Sequence, residues 1–187
     1  YWKSEPRPEM FNSTPQGLMQ DMMEDIIGII MDERFNEIAA KPDAPFIGAS
    51  LGVGKYNESM DVVVARTACK TGGVVAAFEA TMTEVERMRR YGFSDSEIER
   101  AKAEILSRAE TAAKKAGTRK NAEFVQPMLE HFFDNRAFMD PEAKFQLVGQ
   151  ILPMLKPEII NQVAAQIITK ENLTVIYNGP GKEDSIV

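Results

Sequence analysis

Residues 46–70 read FIGASLGVGKYNESMDVVVARTACK, and the organisation of the whole chain follows from how this stretch is paired. Two apolar runs, 46–54 and 60–70, are separated by the polar residues Lys55 to Ser59. The second run is dense in β-branched residues, and strands bounded by a short polar turn form an antiparallel hairpin most simply. Gly48, Gly52 and Gly54 in the first run point to a bulge or a close backbone approach. The segment Gly52-Val53-Gly54-Lys55 superficially suggests a phosphate-binding loop. Counting back from Gly54, however, puts Ala49 where the first Gly of that motif belongs, and Tyr56 stands where its hydroxyl ligand to Mg²⁺ belongs. A second strand follows instead of a helix, so the reading is a glycine-bearing strand entering a turn.

Upstream, Thr14-Pro15 reads as an N-cap followed by Pro at the first helical position. Leu18, Met22, Ile26 and Ile30 then recur every four residues, with Phe35 and Ile38 beyond, which predicts a long amphipathic helix over 14–40. The spacer Lys41-Pro42-Asp43-Ala44-Pro45 stops it. Pro6 and Pro8 make residues 1–13 an extended segment.

Downstream the period returns to that of helices. Val75, Phe78, Met82, Val85 and Met88 mark one helix ending near Tyr91-Gly92. Ser94-Asp95-Ser96-Glu97 is a capping box opening another, closed near Gly117. A fourth helix over 120–135 carries Val125, Met128, Leu129, Phe132 and Phe133, with Pro127 as an irregularity. Asp140-Pro141 and Pro157 open a fifth and a sixth. Leu173 to Tyr177 reads as a closing strand, stopped by Gly179-Pro180-Gly181. The expected class is α+β, a small, mainly antiparallel sheet packed with several helices. Three strands are few for so many helices, so one or two further strands are expected before Tyr1, and the chain is expected to be a single domain, 1–187, excised from a larger protein.

Composition bounds the chemistry. The chain has 187 residues, 44% hydrophobic and 27% charged, with a net charge of −6. It suffices for one well-developed core and argues against a general nucleic-acid binder. No apolar run approaches the roughly 18 residues of a membrane span. There is one His, His131, and one Cys, Cys69. A zinc site draws three or four ligands mostly from those residue types, and a Ser-His-Asp or Cys-His triad would have to use His131. His131 is therefore read as a packing or surface residue, and Cys69 as a core cysteine. Asp21, Asp25 and Asp32, with Glu24, Glu33 and Glu37, lie along one side of the first helix and are read as its solvated face. Lys114, Lys115, Arg119 and Lys120 form the strongest basic run, read as cations complementing a helix C-terminus. Arg87, Arg89, Arg90, Arg100 and Arg108 are read as exposed.

Three stretches carry a resemblance. Met31-Asp32-Glu33-Arg34-Phe35-Asn36-Glu37-Ile38-Ala39, followed by Pro42, Pro45 and Phe46-Ile47-Gly48-Ala49, resembles the helix, spacer and strand of the pitrilysin/insulinase and mitochondrial-processing-peptidase group of zinc peptidases. Gly92 to Lys102 resembles that group's capped helix start, and Asn172 to Pro180 its closing strand. The resemblance spans about residues 31–180. In that group His-x-x-Glu-His with a distant Glu holds zinc and activates water. Nothing here matches it. Many second domains of the group carry a substrate-contacting Arg before the spacer and Tyr after it; Ala39 and Phe46 stand at those positions, and neither side chain donates a hydrogen bond.

The resemblance therefore implies a non-catalytic domain of a zinc metalloendopeptidase: no catalytic, metal or substrate-binding residue of its own, and zinc held by the parent. The implied partners are the zinc-bearing domain, the parent's second half and the parent's peptide substrate. A periplasmic or envelope location is weakly implied for the parent. Two other readings stay open: a stand-alone scaffold on the same fold, and a small enzyme with a carboxylate acid–base site, which needs a cleft carboxylate of raised pKa.

Overall fold

The computed structural model describes residues 1–169 and 171–179. Its order is β1 (Trp2–Ser4), α1 (Pro15–Ala39), β2 (Phe46–Asn57), β3 (Met60–Cys69), α2 (Val74–Tyr91), α3 (Asp95–Lys114), α4 (Ala122–Asp134), α5 (Pro141–Ile151) and α6 (Pro157–Ile167). The class is α+β, as the sequence predicts.

β2 and β3 form the expected antiparallel hairpin, and the turn is tighter than the polar run suggests. Strand pairing continues to Asn57 opposite Met60, and Asn57 Oδ1 accepts hydrogen bonds from the N–H and Oγ of Ser59, both at 3.0 Å. The side-chain oxygen imitates a turn carbonyl, so fewer residues are needed to reverse the chain. Bulges fall at Ile47 and Tyr56. Gly52 and Gly54 pair regularly with Val64 and Val62, and a side chain at either would meet open space. The close backbone approach lies instead on the helix, where a Cβ at Gly28 would stand 3.3 Å from the Leu51 carbonyl oxygen.

Among the described residues the sheet has three strands in the order β1-β3-β2, and its third member differs from the expected one. Trp2 to Ser4, from the segment read only as extended, pair with Val63 to Asp61. Leu173 to Tyr177 do not form a strand. Leu173 makes a single antiparallel bridge to Trp2, flanked by Lys3 N–H to Asn172 O at 3.3 Å and Thr174 N–H to Tyr1 O at 2.8 Å. β1 is only three residues long, and Pro6 just beyond it has no N–H to continue the ladder, so the closing segment finds little edge to pair with. Pro180 and Gly181 lie outside the described residues.

One face of the sheet carries Trp2, Leu51 and Val63, and α1 and α2 cover it. The core continues through Ile26, Ile27, Ile30, Met31 and Phe35 of α1 to Ile98 of α3, Ile151 of α5 and Ile160 of α6, all buried. Thr14 caps α1, its Oγ1 accepting the Gly17 N–H at 3.1 Å. The Ser94–Glu97 capping box is present at the start of α3. That helix ends at Lys114, and Ala116–Thr118 form a short 3-10 turn in place of a Gly117 stop.

Space is tight at Gly92 and at Gly17. Gly92 ends α2 at φ +65°, and a Cβ there would meet Asn161 Oδ1 at 2.5 Å. That same Oδ1 accepts the Phe93 N–H at 2.8 Å, which ties the α2–α3 turn to α6. A Cβ at Gly17 would stand 2.0 Å from the Phe11 carbonyl oxygen. Gly17→Ala is therefore expected to destabilise the fold by about 1–3 kcal/mol, although Ala is the better helix former, because a backbone carbonyl must move. Thermal melting of the variant checks this; an equal or higher midpoint would show that the Phe11 turn yields freely.

Candidate functional site

A cleft of about 640 Å³ lies between the Lys3–Pro8 segment, the first turns of α1, the end of the β2–β3 hairpin and the residues that close α4. Its polar groups come from remote parts of the sequence. Asp21 receives Arg7 on one oxygen at 2.8 Å and Arg136 on the other at 2.7 Å. Arg7 also donates to Asn12 Oδ1 at 3.0 Å, while its backbone N–H donates to Asp61 at 2.9 Å. Lys55 donates to Asp134 at 2.6 Å and to Glu58 at 2.9 Å. These two bonds raise its pKa above the ordinary lysine value. Asn12 Nδ2 reaches the Asp134 carbonyl at 2.7 Å.

The result is a latch. It fastens the N-terminal segment and the end of α4 to α1, and Arg7, Arg136 and Lys55 are each engaged by carboxylates. A cation already neutralised at hydrogen-bond distance offers little to an incoming anion. Glu24 also lines the cleft, and burial raises its pKa, opposed by a hydrogen bond from Gln20 and reinforced by the charge of Asp21. This meets one requirement of a carboxylate acid–base site. Asp21 and Asp61, whose charges act on it, are both held by Arg7.

The acidic side of the first helix is thus more than a solvated face. Asp21 anchors the latch, Asp32 accepts the Leu51 N–H at 3.2 Å, and Glu33 meets Arg100 at 3.1 Å; Asp25 and Glu37 are exposed. His131 is a surface residue whose Nδ1 lies 2.7 Å from the Arg136 carbonyl oxygen. Cys69 is a free, half-buried thiol at the edge of the core, its Sγ 3.8 Å from the Thr67 carbonyl oxygen. Among the described residues no group of three or more His, Cys, Asp or Glu is placed to hold a metal ion, so their donor set does not fit a zinc centre. Ala39 ends α1, and Phe46 is buried edge-on against Phe35. Lys114 lies in the last turn of α3, as the C-terminal reading expects, and its ammonium pairs with Glu110, while Arg119 lies 4.0 Å from the centre of the Phe124 ring. Arg87, Arg90, Arg100 and Arg108 are exposed, and Arg89 is half-buried beside Glu86.

Sequence reading passed over Arg34. Its guanidinium donates to both oxygens of Glu97 at 2.7 and 3.1 Å, to Glu84 at 3.3 Å and to the Gly92 carbonyl at 3.1 Å, and it sits 5.0 Å from the centre of the Phe93 ring. An arginine directly before Phe35, on the stripe that enters the core, was the available signal.

α4 departs most from expectation. Its half-buried positions are Phe124, Pro127, Glu130 and Asp134, so a side that is apolar in its first half and acidic in its second is the less exposed one. The apolar side, Val125, Met128, Leu129, Phe132 and Phe133, points outward, and Phe132 is 80% exposed. The helix ends on Asn135 in the left-handed conformation, φ 52°, which directs Arg136 back to Asp21. The polar latch, and not the apolar stripe, has set the helix's rotation.

This architecture is the insulinase/pitrilysin-like protease fold. The chain is similar to the periplasmic protease PqqL of Escherichia coli, with TM-score 0.76 and 15% identity over 91% of this chain and 18% of that one. Against the first half of the same protease the TM-score is 0.78 at 15% identity, covering 91% of this chain and 36% of that one. A predicted insulinase-family protease from Yersinia pestis gives 0.71 at 13% identity, over 88% of this chain and 35% of that one. The chain thus spans about a fifth of PqqL, and about a third both of its first half and of the Yersinia pestis protein. No family model and no curated protein matches it in sequence.

No described helix is long and apolar enough to cross a membrane.

Proposed function

We propose that this chain acts as a non-catalytic domain of a zinc metalloendopeptidase, packing beside a zinc-bearing domain and forming part of the wall of its substrate chamber. The observation that carries the reading is the match to the first half of PqqL over 91% of this chain, combined with a donor set that does not fit zinc among the described residues. A scaffold that excludes water and orients a peptide serves hydrolysis without contributing a reacting atom. In this reading zinc and its activating Glu belong to another domain of the parent, the parent's second half is a further partner, and the parent works in the periplasm, as PqqL does.

The purified chain is expected to retain far less than one equivalent of zinc after dialysis and to leave unstructured peptides uncleaved. About one equivalent of zinc, with cleavage lost on chelation, would overturn the proposal. A parent reading frame with no His-x-x-Glu-His would instead favour the stand-alone scaffold.

A further inference from the structure

We infer that residues 119–139, which carry α4, form a strap that releases from the body as a unit and is held shut by an ionic lock at one end. The inference goes beyond the proposed function and does not rest on it. None of the 13 residues of α4 is buried. Val125, Met128, Leu129, Phe132 and Phe133 are exposed, and the half-buried ring of Phe124 lies against Arg119 of the strap itself. Glu123, Glu130 and His131 likewise bond within the strap, to the Lys120 N–H, to Gln126 and to the Arg136 carbonyl. The bonds to the body gather where the helix closes: Lys55 with Asp134, Asn12 with the Asp134 carbonyl, and Arg136 with Asp21.

What the strap leaves behind makes release reversible. Breaking an ion pair is costly when it strands a buried charge. Here Asp21 keeps Arg7 at 2.8 Å, Lys55 keeps Glu58 at 2.9 Å, and Asn12 keeps Arg7 at 3.0 Å. Asp134 and Arg136 pass into water. The side chains of Lys55, Asp134 and Arg136 are already 25%, 26% and 38% exposed. Pairs so open to solvent shift an equilibrium by on the order of fivefold each at most. The anchorages on either side do not depend on α4. Ile98, Ala101 and Ile105 fix α3, Val148 and Ile151 fix α5, and these two helices pack on each other. At Gly117, in the turn before the strap, even an added Cβ would meet open space. Pro127 removes a backbone N–H from the middle of α4, so the helix itself adds little resistance. Because Asp134 and Arg136 line the cleft, release takes away one of its walls.

Native-state hydrogen exchange of the whole chain tests this. Amides of α4 should exchange at least about tenfold faster than those of α1 and β3, because they open without the core. Raising salt from about 0.05 to about 0.5 M should speed α4 by about three- to tenfold and the core elements by less than about twofold, since only the lock is screened. Arg136→Gln should speed α4 by about three- to fivefold at low salt and remove much of its salt dependence, with the urea midpoint of the chain unchanged. Arg100→Gln, which breaks the exposed pair with Glu33 on α1, should leave α4 exchange as it is. Protection in α4 equal to that in α1, a salt effect shared by the whole chain, or α4 exchange indifferent to Arg136→Gln would each overturn the inference. None of these measurements reads zinc content or hydrolysis, so the proposed function stands or falls separately.

Discussion

Arg34→Ala is expected to destabilise the fold by about 3–5 kcal/mol, the usual consequence of removing one partner of a buried ion pair. The reason is what it leaves behind. The side chain of Glu84 is only 7% exposed, and its other contact is a 3.5 Å approach from the largely exposed Arg87. Glu97 loses a two-pronged partner, the Gly92 carbonyl loses a donor, and the ring of Phe93 loses the cation above it. Three elements come together at this point: α1, the end of α2 and the capped start of α3.

The pH dependence is specific. Partial burial works to raise the Glu97 pKa, but hydrogen bonds from Arg34 and Ser94 prevail and hold it at about 2, against an ordinary value of 4.5. A carboxyl with a depressed folded-state pKa contributes stability that is fully present above its unfolded value and is lost as pH falls through the folded one. The native chain should therefore lose this contribution between about pH 4.5 and pH 2. In Arg34→Ala the acid-dependent loss should be smaller, so the gap between the two proteins narrows as pH falls through that window. Urea unfolding at pH 7, 4 and 2.5 measures both effects. A constant gap would mean that Arg34 acts by packing and not by charge. Replacing Glu84 by Gln in the same background should recover part of the loss, because the stranded carboxylate is then neutral.

Phe35→Ala should cost about 3–5 kcal/mol by a different route, cavity formation. The ring is fully buried and meets Phe46 edge-on at 6.1 Å between centroids, joining α1 to the first residue of β2. Removing it deletes contacts on both sides of the helix–sheet interface, and the backbone held close at Gly28 leaves little room to collapse. The expected signature is a lower urea midpoint with an unchanged slope, and a fall in Tm on the order of 10 °C. The same truncation at Phe132 should change the stability of the monomer by no more than about 0.5 kcal/mol, since that ring packs on no core residue. A large effect at Phe132 would show that α4 is held by its apolar side after all. Two phenylalanines that look alike in sequence thus separate the core from the outward face.

What was legible in sequence is local or periodic. The first helix and its Thr14 cap, the hairpin, and the Ser94–Glu97 box each depend on residues a few positions apart, and each lies within a few residues of its expected place. The third strand is illegible in sequence because Leu173 to Tyr177 has the stronger β pattern, whereas Trp2 to Ser4 joins the sheet through the free edge that β3 offers it. Propensity ranks segments by composition; an edge accepts whichever segment the chain delivers. The latch was illegible for a related reason. Asp21 and Arg136 are 115 residues apart, and nothing in the neighbourhood of either announces the other.

α4 marks the boundary between the two kinds of knowledge. The sequence by itself determined that residues near 120–135 form an amphipathic helix, because a 3.6-residue period is a property of consecutive side chains. Which side of that helix meets the body was decided only by the tertiary structure, through Asp134 with Lys55 and Asn12 and through Arg136 with Asp21. A hydrophobic stripe specifies that a face must be covered, and says nothing of whether the cover is this chain's own core or another molecule. The scarcity of His and Cys limits the metal chemistry from composition alone, and the resemblance over residues 31–180 points to the protease-like fold that the packing of sheet and helices shows. Composition restricts which atoms are present to react, and packing alone brings distant residues within reach of one another.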